Sequence, residues 1–308
     1  MLQTNVNPSN IKSSFILMYL LNKIVIFLNI LHIRIKRKKS ITVLTPIYFF
    51  NTLKENNLKR RDKMIILNDY LKNVPVLSKT NAHIWLLELD KSSYTLNSIL
   101  SEDEKIRANQ FINQKSKQTF IACRGILRTL LGIYLKIDPQ EIKLEYNSYG
   151  KPYVSSLQNY QDINFSLSHS QDIAAFSFSQ YQTIGIDIEN INSDFNPNEL
   201  SPHIMTNTEL KNFHKLSQSE KVHAFYHLWT QKEAIVKAKG TGFQKAPNKI
   251  SGYLTPDINL NNFHIEDWRL NSFIVKNNYS TCICTKNNIF FHPIQLPTIA
   301  SLYSAPQK

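Results

Sequence analysis

Apolar residues recur at helical spacing through SKQTFIACRGILRTLLGIYLKI (116–137), where Phe120, Cys123, Ile126, Leu127, Leu130, Leu131 and Tyr134 predict one long amphipathic helix. Arg124 and Arg128 are four apart and share a face of it, which by itself reads as a solvated face. In SEDEKIRANQF (101–111), Ser101 stands three residues before Glu104, a capping-box signature for a shorter helix. HIWLLELD (83–90) alternates as a strand does, and LEYNSYGKPYV (144–154) reads as strand, turn, strand about Gly150 and Pro152. INFSLSHS (163–170), IAAFSFSQ (173–180) and QTIGIDIENI (182–191) predict three more strands. Residues 207–238 read as mostly helical, and GYLTPDINLNNFHIEDWRL (252–270), SFIVKNNYSTCICT (272–285) and the tail return to strands. Strands and helices in both halves predict an α+β protein of two subdomains joined near residue 180, at 64–180 and 181–308.

One strand poses a problem. Alternation in IGIDIENI (184–191) sends Ile184, Ile186 and Ile188 to one face and Gly185, Asp187 and Glu189 to the other. Two acids then lie side by side with no Lys or Arg among their neighbours. Either a positive group covers them or the strand faces water. FYHLWTQKEAIVKAKGTGF (225–243), read as a helix ending near Gly240, aligns Trp229, Glu233 and Lys237 along one stripe, with Lys232 beside it. Alone, Glu233 and Lys237 are an exposed ion pair worth a few tenths of a kcal/mol. With Asp187 and Glu189, however, Glu233 completes a set of hard oxygen ligands. Mg²⁺ prefers such donors and keeps positions for phosphate oxygens and water. Lys237 would then offset charge on a phosphate held there.

Charge and cysteine content narrow the class. The formal charge of +13 is concentrated at one end: residues 1–63 hold 12 Lys/Arg against 2 Asp/Glu, a net of +10, whereas residues 64–308 hold 24 against 21, a net of +3. The larger part has no global electrostatic footprint for nucleic acid. Cys123, Cys282 and Cys284 make neither a CxxC pair nor a disulfide framework, which fits a reducing, cytoplasmic setting. The N-terminal segment 1–63 reads in three ways: a mis-assigned upstream start, a basic tail, or a membrane tether through the apolar run at 15–31. In the last case HIRIKRKK (32–39) puts the C-terminal side of the run in the cytoplasm.

Together, IGIDIENI, FYHLWTQKEAIVKAKGTGF, FSLSHS (165–170) and YGKP (149–152) resemble the motifs of Sfp-type 4′-phosphopantetheinyl transferases, in that family's order, over roughly residues 80–290. The resemblance implies two similar subdomains in a pseudo-twofold arrangement within a monomer, with the active site in the cleft between them. It implies an enzyme that moves the phosphopantetheine arm of coenzyme A to a serine of an apo acyl- or peptidyl-carrier protein and releases adenosine 3′,5′-bisphosphate. Carried over by motif, Asp187, Glu189 and Glu233 hold Mg²⁺ and Lys237 contacts the transferring phosphate. Lys151 and Pro152 of GKP, with Ser168 and His169 of SHS, hold the nucleotide end, and Arg124 corresponds to a basic residue of that region. A metal-bound water or Glu233 can serve as general base, and the sequence does not choose. The competing readings are another metal-dependent phosphate enzyme, such as a nucleotide hydrolase, and a non-catalytic module that binds coenzyme A or a carrier protein. A membrane-anchored scaffold rests on 15–31 alone.

Overall fold

A computed structural model describes residues 76–89, 96–257, 259–286 and 289–295. The segment 1–63, with the apolar run at 15–31, lies outside the described residues. Among the described residues no helix is long and apolar enough to cross a membrane.

The elements follow the hydrophobic pattern closely. In chain order they are β1 (Asn81–Glu88), α1 (Glu102–Asn109), α2 (Gln114–Leu135), β2 (Leu144–Tyr146), β3 (Pro152–Val154), β4 (Ile163–Ser170), β5 (Ile173–Gln180) and β6 (Ile184–Asn190). Then come α3 (Ser201–Ile204), α4 (Asn207–Phe213), α5 (Gln218–Lys239), β7 (Leu260–Ile265), β8 (Trp268–Val275), β9 (Tyr279–Thr285) and β10 (Phe290–Gln295). The Ser101–Glu104 capping box opens α1. The stretch expected to be mostly helical over 207–238 divides in two, because Ser217 forms a fresh capping box with Glu220 and starts α5 after a break. Gly240, at φ 68°, takes the left-handed C-cap and stops α5.

Two four-stranded sheets carry the fold, ordered β10-β1-β5-β4 and β6-β9-β8-β7, with β2-β3 a separate hairpin. The first sheet buries Trp85, Leu87, Phe165, Phe176 and Phe178 against Ile126, Leu127, Leu130 and Leu131 of α2. Its opposite face, with Ile84 and Leu86, packs on Ile184, Ile186, Ile188 and Ile283 of the second sheet. The far face of the second sheet receives Ala234, Ile235 and Ala238 of α5 against Leu270, Cys282 and Cys284. The layers therefore run α2, sheet, sheet, α5, an α+β fold in which each sheet has one long helix against it. The first sheet is completed by β10, which leaves β9 and pairs in parallel with β1 from Asn81↔Phe290 to Leu86↔Gln295.

Arg124 and Arg128 are not a solvated face: both side chains are buried. Arg128 Nε donates to Glu104 Oε2 at 2.5 Å, and its Nη1 donates to the carbonyls of Pro139 and Ile142 at 2.9 Å each. The carboxylate that caps α1 thus also neutralises a cation on α2, which lets the polar side of α2 be covered.

Glycine decides how closely α5 can lie on β6. A Cβ at Gly185 would stand 2.0 Å from the Ala234 carbonyl oxygen and 2.5 Å from the Ala238 nitrogen. Both are backbone atoms of the helix and cannot swing aside. Gly185→Ala is expected to push α5 off the sheet and lower the unfolding free energy by about 1–3 kcal/mol, read as a shift in the urea midpoint at unchanged m-value.

Candidate active site

The acidic strand is where this layering converges. On β6 the isoleucines go into the intersheet core, so Asp187 points to the side on which α5 lies. Its side chain is only 1% exposed. A carboxylate so placed needs charged or hydrogen-bonding partners. Lys237 reaches across from α5 and donates from Nζ to Asp187 Oδ1 at 2.5 Å. Ser168, on β4, donates from Oγ to the same oxygen at 2.7 Å, and Lys237 Nζ also donates to Ser168 Oγ at 2.8 Å. The positive group that the strand required is supplied within the chain, by a lysine two turns after Trp229 on the predicted stripe.

The other carboxylate oxygen, Asp187 Oδ2, is buried and has no hydrogen-bond partner among the described residues. Glu189 accepts a hydrogen bond on Oε2 from Ser170 Oγ at 3.1 Å. Glu233, one turn before Lys237 on α5, is 3% exposed. Among the described residues, no three acids, histidines or cysteines stand together as a preformed metal cluster. The donor chemistry still suits a divalent cation, since Asp187 keeps an unpaired oxygen and Mg²⁺ needs only one or two carboxylates beside substrate phosphates and water.

The two lysines of the WTQKEAIVK stretch have different fates. Lys232 is fully buried: Nζ donates to Glu209 Oε2 at 2.6 Å and to the Ile204 and Pro247 carbonyls at 2.7 and 3.2 Å. Glu209 in turn accepts the Thr206 and Gly252 amides, at 2.8 and 2.7 Å. Burial pulls the Lys232 amine below the ordinary lysine range, and Glu209 opposes that pull. Lys237, 24% exposed, keeps a path to solvent and hence to a ligand. Trp229 stacks on Phe243 with ring centroids 5.8 Å apart, which ties the loop after Gly240 back to α5.

The residues expected at the nucleotide end spread over neighbouring surfaces. Ser168 and His169, adjacent on β4, point to opposite faces: Ser168 joins Asp187 and Lys237, whereas His169 is exposed. Lys151 leaves the β2–β3 hairpin and donates to the Ala238 carbonyl at 3.2 Å and the Ile184 carbonyl at 3.5 Å. Desolvation lowers its pKa to about 8. Asn147, from the same hairpin, donates to the Gly240 carbonyl at 2.7 Å, so the hairpin is clamped to the end of α5. Lys151 and Pro152 also line a cavity of about 380 Å³ with Tyr153, Asn164 and Phe165. Arg124 lies 5.5 Å over the Phe120 ring and 5.7 Å over the Tyr146 ring, on the same hairpin's first strand. Beside Asp187 in the sheet, Cys282 is held protonated, its pKa pushed by burial to about 12, so it is no nucleophile.

Ser168 was among the expected residues, whereas Ser166, Ser170 and the Lys232–Glu209 pairing were not. Ser166 and Ser170 alternate with Ser168 in FSLSHS, and that period-2 pattern was the available signal. Nothing in the sequence marked Lys232 apart from its neighbours in the motif.

Comparison with known proteins gives matches along most of the described chain. Residues 183–288 match a family model described as the 4′-phosphopantetheinyl transferase superfamily, and residues 88–180 match 4′-phosphopantetheinyl transferase, N-terminal. The chain is 35% identical over 187 residues to 4′-phosphopantetheinyl transferase HetI of Nostoc, covering 60% of this chain and 78% of the relative. It is 24% identical over 209 residues to 4′-phosphopantetheinyl transferase Sfp of Bacillus subtilis, covering 67% and 90%. A human relative, L-aminoadipate-semialdehyde dehydrogenase-phosphopantetheinyl transferase, is 28% identical over 167 residues, 51% of this chain and 53% of its own.

The buried pair beneath the site makes a separate prediction. Lys232→Met strands Glu209 as an uncompensated buried charge and is expected to destabilise the fold by about 3–5 kcal/mol. Lys232→Met with Glu209→Gln should recover most of that loss in equilibrium urea unfolding.

Proposed function

Because the chain belongs to the 4′-phosphopantetheinyl transferase superfamily and is an enzyme of that type, we propose that it transfers the phosphopantetheine arm of coenzyme A to a serine of an apo acyl- or peptidyl-carrier protein. The serine oxygen forms a new bond to the phosphorus of the arm, and the pyrophosphate P–O bond to the nucleotide breaks. Adenosine 3′,5′-bisphosphate leaves with that bond's electron pair, and the serine proton passes to a base. The observation that carries this reading is the buried Asp187, paired with Lys237 and Ser168 on one oxygen and unpartnered on the other.

Each side chain has a task in that reaction. Asp187, Glu189 and Glu233 would hold Mg²⁺, which when bound neutralises pyrophosphate charge and orients it for in-line attack. Lys237 has a cation within reach of solvent and exchanges part of its bond to Asp187 for a phosphate oxygen. Glu233, buried one turn before Lys237, is one candidate for the proton acceptor, a water on the cation being the other. Lys151 and Pro152, beside the cavity of about 380 Å³, receive the nucleotide end with its 3′-phosphate. Ser168, His169 and Arg124 complete that end by motif. His169 is exposed and would meet a phosphate from the nucleotide side, whereas Ser168 would link that side to Asp187. Fatty-acid, polyketide and nonribosomal-peptide carriers are all candidate acceptors, and the cytoplasm is the proposed compartment.

Incubating the full chain with coenzyme A, Mg²⁺ and a set of apo carrier proteins is expected to add one phosphopantetheine arm, read as intact carrier mass. Chelation of Mg²⁺ should abolish the gain. Asp187→Asn and Glu233→Gln should each lower the rate by at least about a hundredfold with the circular dichroism spectrum unchanged; normal rates would remove these residues from the metal site.

Lys151 predicts a pH signature. Its amine is charged below pH about 8 and loses that charge above it, so recognition of the 3′-phosphate is present at neutral pH and weakens as pH rises through 8. KM for coenzyme A should climb over pH 7–9.5, while KM for dephospho-coenzyme A should stay flat, and Lys151→Ala should erase the difference. Parallel pH profiles for both substrates would place Lys151 away from the 3′-phosphate.

A further inference from the structure

The two sheets approach one another along β4 and β6, strands that belong to different sheets and share no ladder. Serine hydroxyls bridge them instead. Ser166 Oγ accepts the Ile186 amide at 3.2 Å, Ser168 Oγ donates to Asp187 Oδ1 at 2.7 Å, and Ser170 Oγ accepts the Asn190 amide at 3.0 Å. The bonds advance in step, from 166 with 186 to 170 with 190, so the strands run in the same direction. An edge strand leaves a row of backbone N–H groups without partners, which costs free energy when they are buried. Here two such groups on β6 are satisfied by side chains four residues apart on β4.

A hydroxyl has one proton to donate and two lone pairs. Ser170 uses both capacities on the acidic strand: with the Asn190 amide on its lone pair, its own proton is directed to Glu189 Oε2 at 3.1 Å. Backbone and carboxylate are thereby locked to the same atom. Ser168 donates to the Asp187 carboxylate and accepts Lys237 Nζ, with no backbone amide of β6 in the arrangement. Ser166 anchors the strand one position before Asp187.

We infer that Ser170, supported by Ser166, is a positioning residue for the reaction: the β4–β6 hydroxyl seam sets the spacing and side-chain direction of Asp187 and Glu189 before a divalent cation arrives. The inference rests on the metal reading under Proposed function and assigns Ser170 no contact with substrate. Groups that hydrogen-bond a metal-binding carboxylate fix its rotamer, and their loss typically lowers metal affinity about ten- to a hundredfold. Threonine retains the hydroxyl on a strand-compatible side chain; alanine removes both bonds at once.

Mn²⁺ serves as the probe, titrated into the full chain with coenzyme A and followed by electron paramagnetic resonance of the free ion. Ser170→Ala is expected to raise the Mn²⁺ dissociation constant about tenfold or more. The Mg²⁺ concentration for half-maximal transfer should rise in proportion, with kcat at saturating Mg²⁺ largely recovered. Ser170→Thr should restore both. A serine that merely supported the fold would lower the thermal midpoint and leave metal affinity unmoved. If Ser170→Ala fails to fold, Ser170→Cys keeps the volume with a weak donor and should show the same loss of Mn²⁺ affinity. A wild-type chain that binds Mn²⁺, matched in affinity by folded Ser170→Ala or Ser170→Cys, overturns the inference alone. A wild-type chain that binds no Mn²⁺ overturns the metal reading and the inference together.

Discussion

A carboxylate buried between a strand and a helix is the constraint around which this protein is organised. Asp187 sits on a strand whose alternate residues are committed to the intersheet core, so it cannot turn to solvent without taking Ile186 and Ile188 out of that core. Three elements meet to accommodate it: β6 supplies the acid, α5 supplies Lys237 and β4 supplies Ser168. Gly185, two residues before Asp187, lets α5 come close enough for that lysine to reach. Packing and electrostatics therefore specify the same geometry.

Helix α5 resolves two opposite demands. Along its length it is buried on nearly every side, with Ala234, Ile235 and Ala238 on the sheet and Phe225, Tyr226 and Leu228 in a cluster with α4. A helix so enclosed has no clean amphipathic stripe. It nevertheless carries two charged pairs. Lys232 with Glu209 joins α5 to the segments at 204, 247 and 252, a network with a buried ion pair at its centre and part-buried bonds around it. Lys237 with Asp187 lies nearer the surface and leaves one carboxylate oxygen unsatisfied. A fully satisfied buried network rigidifies its surroundings, whereas an unpaired buried polar atom costs free energy. The first pair ties the helix to its surroundings, and the second leaves Asp187 Oδ2 without a partner among the described residues.

The β2–β3 hairpin brings a distant part of the chain to the same place. Asn147 and Lys151 bond to carbonyls at the end of α5, where the helix leaves its last C=O groups without internal partners. Arg124, stacked over Tyr146 of the hairpin, extends this contact to α2.

Much of this was legible from local pattern. Period-2 alternation located the strands, the Ser101–Glu104 box opened α1, and the spacing of Trp229, Glu233 and Lys237 put three functional candidates on one stripe. Motif order over 149–243 was sufficient to indicate the family, because chemistry of this kind needs particular residue types at fixed separations. Partnership was not legible. Arg128 reads as surface charge until Glu104 is seen beside it, and Lys232 reads as a neighbour of Glu233 until its ammonium is found among three oxygens. Likewise FSLSHS shows three serines on one face but not that the face lies along another sheet's edge. Residue type and spacing are properties of the chain. Which charge neutralises which, and which hydroxyl meets which amide, is fixed only when layers far apart in sequence are packed together, because buried polar groups must find partners wherever the fold places them.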